Sequence, residues 1–275
     1  MFHLPKLPKL SLKKSKKDGT YGDNQTTLHT SLGFAGHEAY KLLRANLTFM
    51  LAASDSTKCP VIGVTSSIRG EGKSTTAVNL AYTIAEAGHR VLLIDGDMRL
   101  PSIGQKMEMD NAPGLSNALV GMGKDKNYIR KSGVLENWQI LTAGDIPPNP
   151  SELLASERLS RLLESLREQY NYIVLDLPPV DMVSDALVVS SVVDGMIVVV
   201  RENYTERQDV RECIRQMNIA DARILGIVLN GVGDDNSGYR YYKNYYYKKK
   251  ESKKYYDYGD AYSAKPEDQY GFGSK

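Results

Sequence analysis

Eight consecutive residues, Ser67 to Ser74, have the types and spacing of a phosphate-binding loop. They match the pattern G-x-x-x-x-G-K-[ST], with Ser67 in place of the first glycine. Gly70 and Gly72 permit the backbone geometry that turns N–H groups toward an anion, and a following helix would add its positive end. Lys73 would then reach the β- and γ-phosphates of ATP, and the Ser74 hydroxyl would hold Mg²⁺. The predicted nucleotide-binding residues of this loop are Gly70, Glu71, Gly72, Lys73, Ser74 and Thr75.

Three aspartates follow two other apolar segments of the chain. Val91–Ile94 leads into Asp95 and Asp97, and Ile173–Leu175 leads into Asp176. Open α/β sheets bind ligands at the carboxyl ends of their strands, so these carboxylates are expected to face the phosphate loop. One carboxylate at a strand end is often only a helix cap. Three of them indicate a metal ion and a nucleophile, because Mg²⁺ is usually held by one or two carboxylates and several waters.

Short β-rich segments alternate with helical segments along most of the chain. Several are nearly continuous Val, Ile and Leu, which is typical of strands buried on both faces of a parallel sheet. We predict a doubly wound, mostly parallel α/β domain over residues 36–235, with a flexible basic arm at 1–35 and a flexible tyrosine-rich tail at 236–275. The predicted strands are Val61–Thr65, Arg90–Ile94, Gln139–Leu141, Tyr172–Leu175, Met196–Val200 and Ile224–Leu229. The predicted helices are His37–Ala53, Ser74–Ala87, Ser151–Gln169 and Glu206–Met217.

The formal charge of +2 is unevenly distributed along the sequence. Residues 1–30 and 238–275 each carry a net charge of +4, whereas residues 31–237 carry 20 basic and 26 acidic side chains, a net −6. The basic arm is either solvated or attracted to an anionic membrane surface.

Two cysteines far apart in sequence indicate a reducing compartment. Uninterrupted apolar runs fall short of the roughly 18–20 residues of a membrane span. We therefore predict a cytoplasmic protein, in which any membrane role comes through a partner or through surface charge.

Eleven of the eighteen tyrosines fall in the last 37 residues, among Lys, Gly, Ser and Asp and with almost no aliphatic side chains. Such a segment cannot build a core, so its rings are expected in water. Exposed phenols at this density are either adhesive groups or chemical acceptors, and a phosphate-handling site on the same chain favours acceptors. The predicted phosphate acceptors are Tyr239, Tyr241, Tyr242, Tyr245, Tyr246, Tyr247, Tyr255, Tyr256, Tyr258, Tyr262 and Tyr270.

Together these motifs resemble those of the bacterial tyrosine kinases of capsule and exopolysaccharide biosynthesis, which belong to the ATPases with a deviant phosphate loop. The resemblance covers about residues 30–275. Its markers are Asp95–Arg99, similar to the family's Walker A′ element, Ile173–Asp176, similar to Walker B, the stretch Ala143–Leu154, and the tyrosine-rich tail. A further marker, Glu38–Arg44, is similar to the family's E-x-x-R-x-x-R helix, which packs subunits into a ring. Lys41 stands where the family has Arg, and it offers a point charge rather than a planar fork. The resemblance implies a subunit contact through Glu38, Lys41 and Arg44.

The resemblance also implies transfer of the γ-phosphoryl group of ATP to tyrosine, with the tail phosphorylated mainly between subunits of one ring. For this reaction Lys73 would bind phosphate, and Ser74, Asp97 and Asp176 would bind Mg²⁺ directly or through water. Asp95 is the candidate to orient or deprotonate the phenol, since tyrosine with a pKa of about 10 needs a nearby acceptor. The roles of Asp95 and Asp97 could be exchanged. The remaining assignments are Arg99 to a phosphate or a neighbouring subunit, Asn230 to the adenine, and Arg201 to the nucleotide pocket.

Partners follow from the same resemblance. It implies a homo-oligomeric ring, a separate transmembrane activator of the polysaccharide co-polymerase type, and a tyrosine phosphatase, with no nucleic acid expected. Each phosphotyrosine adds about −1.5 to −2 charges at neutral pH. We therefore hypothesise that the basic tail docks on an acidic neighbouring subunit and that accumulated phosphate loosens the ring.

Three other functions compete with this interpretation. A positioning or partitioning ATPase of the same superfamily would carry a signature lysine where this chain has Ile68, and it would have no use for the tail. A nucleic-acid binder could use the Lys and Tyr side chains of the tail, but the ATP site would then be unexplained. The third candidate is an ATP-dependent regulator that assembles polysaccharide machinery without transferring phosphate. An assay with labelled ATP distinguishes it from a kinase.

Overall fold

The structure is a computed structural model, and it describes residues 32–52, 59–121 and 128–232. All eleven predicted acceptor tyrosines, and the predicted arm up to residue 31, lie outside the described residues. The first helix begins at Phe34, three residues before the predicted start.

One seven-stranded sheet forms the centre of the described part of the chain, in the strand order β3-β4-β2-β5-β1-β6-β7. Neighbouring strands run parallel, except that β3 pairs antiparallel with β4. The predicted doubly wound, mostly parallel α/β fold is therefore confirmed. The strands are β1 (Val61–Ser66), β2 (Val91–Asp95), β3 (Ile129–Lys131), β4 (Trp138–Leu141), β5 (Tyr172–Asp176), β6 (Gly195–Arg201) and β7 (Ile224–Asn230).

Helices cover both faces of this sheet. The central strands β1 and β2 are buried at every position, as their continuous apolar composition requires. One apolar cluster joins α1 and α2 to the sheet, and a second joins α4 to α8 to the opposite face. The helices are α1 (Phe34–Ala52), α2 (Lys73–Glu86), α3 (Ile103–Lys106), α4 (Leu115–Val120), α5 (Pro150–Leu154), α6 (Glu157–Arg167), α7 (Asp185–Val189) and α8 (Arg207–Ile219).

The helix predicted over Ser151–Gln169 is two helices, α5 and α6. The chain leaves helical geometry at Ser156, which is extended at φ −73° and ψ 146°. Its hydroxyl donates a hydrogen bond to the Leu153 carbonyl at 2.6 Å, so the end of α5 is closed by a local side-chain contact. Serine competes with helical hydrogen bonding in this way and is favoured where a helix begins.

Helix α1 buries only some of its apolar side chains. Leu47 and Leu51 are in the core, whereas Met50 is 43% exposed and its neighbour Phe49 is 76% exposed. None of the helices in the described ranges is long and apolar enough to cross a membrane.

The register of the sheet brings the acidic strand ends together. β5 lies between β1 and β2, and Asp176 is paired with Val64 on one side and Asp95 on the other. Because β1 continues into the predicted phosphate loop, the loop and the aspartates meet at the carboxyl edge of the sheet.

Candidate active site

The loop between β1 and α2 depends on two glycines in left-handed conformations. Gly70 has φ +88° and Gly72 has φ +95°, values that residues with a Cβ atom rarely adopt. A Cβ atom on Gly72 would also collide with the side-chain amide of Asn230. Helix α2 starts directly at Lys73, and the first N–H groups of a helix have no partner within it. The loop therefore presents unpaired N–H groups and a helix amino end, which suits an anion.

The Glu71 carboxylate holds this loop from the inside. It is fully buried, and it accepts hydrogen bonds from the Ile68 amide at 2.7 Å, from the Ser67 hydroxyl at 3.4 Å, and from the Thr205 hydroxyl. Ser67, which replaces the first glycine of the pattern, thus supplies one donor to Glu71. The Glu71 side chain is turned away from the cleft, so any contact with a nucleotide falls to its backbone.

Three donors hold the loop from the outside. The consecutive carbonyls of residues 69–71 accept hydrogen bonds from the Tyr204 hydroxyl at 3.0 Å, the Arg201 guanidinium at 3.2 Å and the Asn230 amide at 2.8 Å, respectively. Arg201 and Asn230 therefore contact the phosphate loop. Neither side chain lines the cleft described below, and their contact with a nucleotide stays a prediction.

The Lys73 ammonium lies among three oxygen-bearing side chains. Its Nζ atom is 2.9 Å from Asp97 Oδ2, 3.2 Å from Ser74 Oγ and 3.5 Å from Asp176 Oδ1. Burial works against the charged ammonium, but the Asp176 and Asp97 carboxylates outweigh it, and the pKa of Lys73 is raised. The three side chains predicted to bind Mg²⁺ thus already converge on one cation, the ammonium of Lys73.

Asp176 is the least satisfied member of this group. It is fully buried, and neither of its carboxylate oxygens accepts a hydrogen bond. Burial raises the pKa of Asp176, while Lys73 acts in the opposite direction. A buried acceptor without donors is suited to a metal ion or its bound water. No three Asp, Glu, His or Cys side chains of the described residues form a metal site by themselves. The donor set therefore fits Mg²⁺, which completes its coordination with water and phosphate oxygens.

A cleft of about 350 Å³ opens beside these groups. Of the predicted site residues, Glu71, Asp95, Asp176, Arg201 and Asn230 do not line it. Those that do are Gly70, Gly72, Lys73, Ser74, Thr75, Asp97 and Arg99. The cleft is also lined by residues that sequence reasoning missed, namely Arg69, Leu100, Ser102, Lys106, Pro178, Pro179, Met182 and Val183.

Comparison with known proteins identifies the family. Residues 59–225 match the family model described as an AAA domain. Tyrosine-protein kinase YwqD of Bacillus subtilis (strain 168) is 34% identical over 206 residues, which cover 74% of this chain and 85% of that protein. The chain belongs to the bacterial tyrosine-protein kinases.

Solved structures agree with this membership. The kinase domain of the Escherichia coli tyrosine kinase ETK is 29% identical and superposes with a TM-score of 0.70, covering 80% of this chain and 85% of that one. The chimerical protein CapA2B2 is 35% identical with a TM-score of 0.67, covering 72% of this chain and 85% of the chimera. The predicted family, and the prediction that this protein is a protein-tyrosine kinase with a nucleotide-binding phosphate loop, are therefore confirmed.

In this kinase the Asp95 side chain stabilises the turn that follows β2. It is fully buried and accepts hydrogen bonds from the backbone N–H groups of Asp97 at 3.1 Å, Ser102 at 3.1 Å and Ile103 at 3.0 Å. Burial, followed by the Asp176 charge, raises the pKa of Asp95 to about 7, and the Ile103 N–H opposes the shift. Asp97, rather than Asp95, lines the cleft. The geometry thus favours Asp97 for the phenol role that was predicted for Asp95, because the Asp95 oxygens are occupied by backbone N–H groups.

Arg99 of the kinase is fixed by a buried partner. Its guanidinium donates to both carboxylate oxygens of Asp185, at 2.9 and 3.2 Å, and to the Ser151 hydroxyl at 2.8 Å. Asp185 is fully buried and also accepts a hydrogen bond from Ser151 at 2.5 Å. Because Arg99 lines the cleft, Asp185 and Ser151 determine where its positive charge stands. Sequence reasoning singled out Arg99 but missed Asp185, for which an acidic residue at the start of a short helix was the available signal.

Lys106 is a further cation of the cleft that the sequence did not single out. Its ammonium makes no hydrogen bond or ion pair with another described residue. Burial lowers the pKa of Lys106, with Asp176 acting against this effect and Lys73 adding to it. The Lys106 ammonium is therefore placed to meet an anionic group of a ligand in the cleft.

The predicted subunit-contact residues of α1 are partly engaged within the chain. Glu38 and Lys41 form an exposed ion pair at 3.0 Å. The Arg44 guanidinium instead donates to the Thr83 carbonyl of α2. Within the chain, Glu38 and Lys41 are thus paired with each other, whereas Arg44 is engaged with α2. Arg44 has further N–H donors, so this contact does not exhaust it.

Proposed function

We propose that this kinase transfers the γ-phosphoryl group of ATP to the tail tyrosines of neighbouring copies, and that the number of phosphates regulates capsule or exopolysaccharide synthesis and export. The observation that carries the transfer chemistry is the convergence of Ser74, Asp97 and Asp176 on the Lys73 ammonium. The acceptor assignment is supported by eleven tyrosines between residues 239 and 270 of the same chain.

Phosphoryl transfer requires in-line positioning and neutralised charge rather than covalent work by the protein. The loop amides of residues 70–74 cradle the phosphates, and Lys73 neutralises their charge once it leaves the carboxylates. A bound Mg²⁺ would supply positive charge against the charge that develops on the transferring group. Ser74 and Asp176 are the side chains that would hold it.

The tyrosine phenol approaches from the cleft. Of the three aspartates, Asp97 is the one that lines this cleft, so we assign to it the orientation of the phenol and the removal of its proton. Asp95 keeps the turn of residues 97–103 in place through its three backbone hydrogen bonds. Arg99 and Lys106 add positive charge at the cleft, where charge develops on the transferring group.

Partners of the kinase follow from its family resemblance. We propose a ring of identical copies that uses the exposed Glu38–Lys41 pair of α1, with a separate transmembrane activator that recruits the kinase to the inner face of the plasma membrane. A tyrosine phosphatase would reverse the modification. The negative charge of the phosphorylated tail would then repel the acidic neighbouring subunit and loosen the ring.

Radiolabelled ATP with Mg²⁺ tests the proposal on three full-length proteins: the unchanged chain, Lys73→Met, and a chain with all eleven tail tyrosines changed to Phe. The unchanged chain should label its tail when it is produced together with the transmembrane activator. Lys73→Met alone should remain unlabelled. When the tail-Phe chain is mixed with Lys73→Met, label should appear on Lys73→Met, because its tail accepts phosphate from another copy.

Two outcomes would contradict the proposal. Self-labelling of Lys73→Met would show that the phosphate loop is not the catalyst. Equal labelling of the tail-Phe chain and the unchanged chain would show that the tail is not the main acceptor. The loosening of the ring is tested separately by light scattering, where tail-Phe rings should persist after ATP is added.

A further inference from the structure

Tyr204 stands apart from the other tyrosines of the described residues. It is 44% exposed, more than any other described tyrosine, and it lies in the turn between β6 and α8. Its hydroxyl reaches back to the phosphate loop and donates a hydrogen bond to the Arg69 carbonyl at 3.0 Å. An accessible phenol thus rests directly on the ATP-binding loop of an enzyme that phosphorylates phenols.

The contact is tight and has a cationic neighbour. The Tyr204 hydroxyl would lie 2.9 Å from a Cβ atom on Gly70. The Arg201 guanidinium lies 5.3 Å from the centre of the Tyr204 ring and also donates to the Gly70 carbonyl. Arg69 and Gly70 both line the cleft. A change at Tyr204 therefore affects the nucleotide site through Arg69 and Gly70, which lie next to Tyr204 and line the cleft.

We propose that Tyr204 is itself a phosphorylation site, modified by a second copy of the kinase, and that its phosphorylation weakens ATP binding and so limits the reaction. This inference rests on the proposed transfer between copies. In the step, the bond between the γ-phosphorus and the β,γ-bridging oxygen breaks, and a bond from phosphorus to the Tyr204 oxygen forms. ADP leaves, and the phenolic proton passes to Asp97 of the acting copy and then to water.

Phosphorylation opposes the present loop geometry for two reasons. The phosphorylated oxygen no longer carries the proton that it now donates, so it and the Arg69 carbonyl oxygen would repel each other at 3.0 Å. The phosphate also adds about −1.5 to −2 charges beside the place where the ATP phosphates bind. Arg201 is a counter-charge beside the ring, and pairing with the phosphate would draw it away from Gly70. We expect ATP binding to weaken by about tenfold, the order of effect of one lost hydrogen bond with added like charge.

The sequence around Tyr204 makes the site directly measurable. Trypsin cleaves after Arg201 and Arg207 and releases the peptide Glu202–Arg207, in which Tyr204 is the sole tyrosine. The tail-Phe chain serves as the active copy, because its own tail cannot accept phosphate. It is incubated with Mg·ATP and the full-length Lys73→Met chain, whose Glu202–Arg207 peptide is then examined by mass spectrometry. Phosphate on this peptide, absent without the active chain, is the expected result.

ATP affinity is then measured on the tail-Phe chain before and after incubation with Mg·ATP, and again after phosphatase treatment. Affinity should fall about tenfold as Tyr204 is phosphorylated and return on phosphatase treatment. In the same background, Tyr204→Phe should abolish this time-dependent fall. Tyr172→Phe, the same change on a strand end away from the loop, should preserve it.

The outcomes separate this inference from the function on which it rests. Phosphorylated tails with an unmodified Glu202–Arg207 peptide would overturn the Tyr204 site and leave the proposed function standing. Phosphotyrosine nowhere on the chain would overturn both. A phosphorylated Tyr204 with unchanged ATP affinity would overturn the limiting role, whereas the reversible tenfold fall supports it.

Discussion

Replacement of Asp176 by Asn should stabilise the nucleotide-free protein while it removes kinase activity. Three buried aspartates, at positions 95, 97 and 176, surround the single ammonium of Lys73. Asp176 receives no hydrogen bond, and the upward shift of its pKa shows that the fold disfavours its charged form. An uncharged side chain of the same shape relieves that penalty. Lys73 keeps its counter-ion, because Asp97 remains 2.9 Å away.

The size of the effect follows from two opposed quantities. The attraction between Lys73 and Asp176 at 3.5 Å is about 5 kcal/mol at an effective dielectric constant of 20. Desolvation of a buried ion costs several kcal/mol, and repulsion from the two other aspartates adds to it. We expect a net gain of about 2 kcal/mol in the free energy of unfolding, or roughly 4–8 °C in Tm for a domain of this size.

Thermal unfolding followed by circular dichroism in EDTA measures this gain, and an anti-phosphotyrosine assay measures activity. Mg·ADP should raise the Tm of the unchanged protein and have little effect on Asp176→Asn. The matched control is Asp185→Asn, because Asp185 is equally buried but fully paired with Arg99 and Ser151. That change should lower the free energy of unfolding by about 1–2 kcal/mol. A Tm of Asp176→Asn below that of the unchanged protein in EDTA would refute the reasoning.

Three further predictions concern the pH dependence of stability, a cleft cation and a loop glycine. Burial raises the pKa of Asp95 from 3.8 to about 7, so between these pH values the folded chain retains a proton that the unfolded chain releases. The free energy of unfolding without nucleotide should therefore fall as pH rises through this interval, and denaturant titrations of Asp95→Asn should show a smaller slope; an equal slope would assign the titration elsewhere. Lys106→Ala should lower kcat/KM for ATP about 10- to 100-fold with Tm nearly unchanged, whereas Lys106→Arg should retain most activity; full activity of the Ala variant would remove Lys106 from the site. Gly72→Ala should abolish ATP binding in calorimetry, because its Cβ atom meets Asn230. Gly88→Ala has a similar φ of +92° and open space around it, so it should cost only about 1 kcal/mol of stability and leave ATP binding intact. Comparable ATP affinities in the two glycine variants would contradict this.

Local patterns in the sequence were sufficient for the sheet and the phosphate loop. Each of the six predicted strands is present, and no strand end differs from its prediction by more than one residue. Strands buried on both faces are continuous apolar runs, and the loop is a contiguous motif, so both are readable without tertiary information. The missed elements are short: β3 has three residues, and α3, α4 and α7 have four to six, too few for a hydrophobic period to appear.

Contacts between distant segments could not be predicted in the same way. Arg99 is fixed by Ser151 and Asp185, which are 52 and 86 residues away along the chain. The division of roles between Asp95 and Asp97 depends on which carboxylate the turn after β2 places at the cleft, and the two are separated by one glycine in sequence. Arg44 donates to the Thr83 carbonyl of α2, 39 residues further along the chain, and no local pattern in the sequence indicates this contact.

The end of β7 fixes the tail to the enzyme at an informative place. Asn230 holds the phosphate loop, and Val232, two residues later, is the last described residue. An extended chain advances at most ~3.6 Å per residue, so chain length alone limits the distance from Val232 to about 25 Å for Tyr239 and to about 137 Å for Tyr270. Position along the tail therefore sets the maximum distance from Val232 that each tyrosine can reach. For the proposed transfer between copies, chain length thus permits Tyr270 to reach a site much further from its own phosphate loop than Tyr239 can.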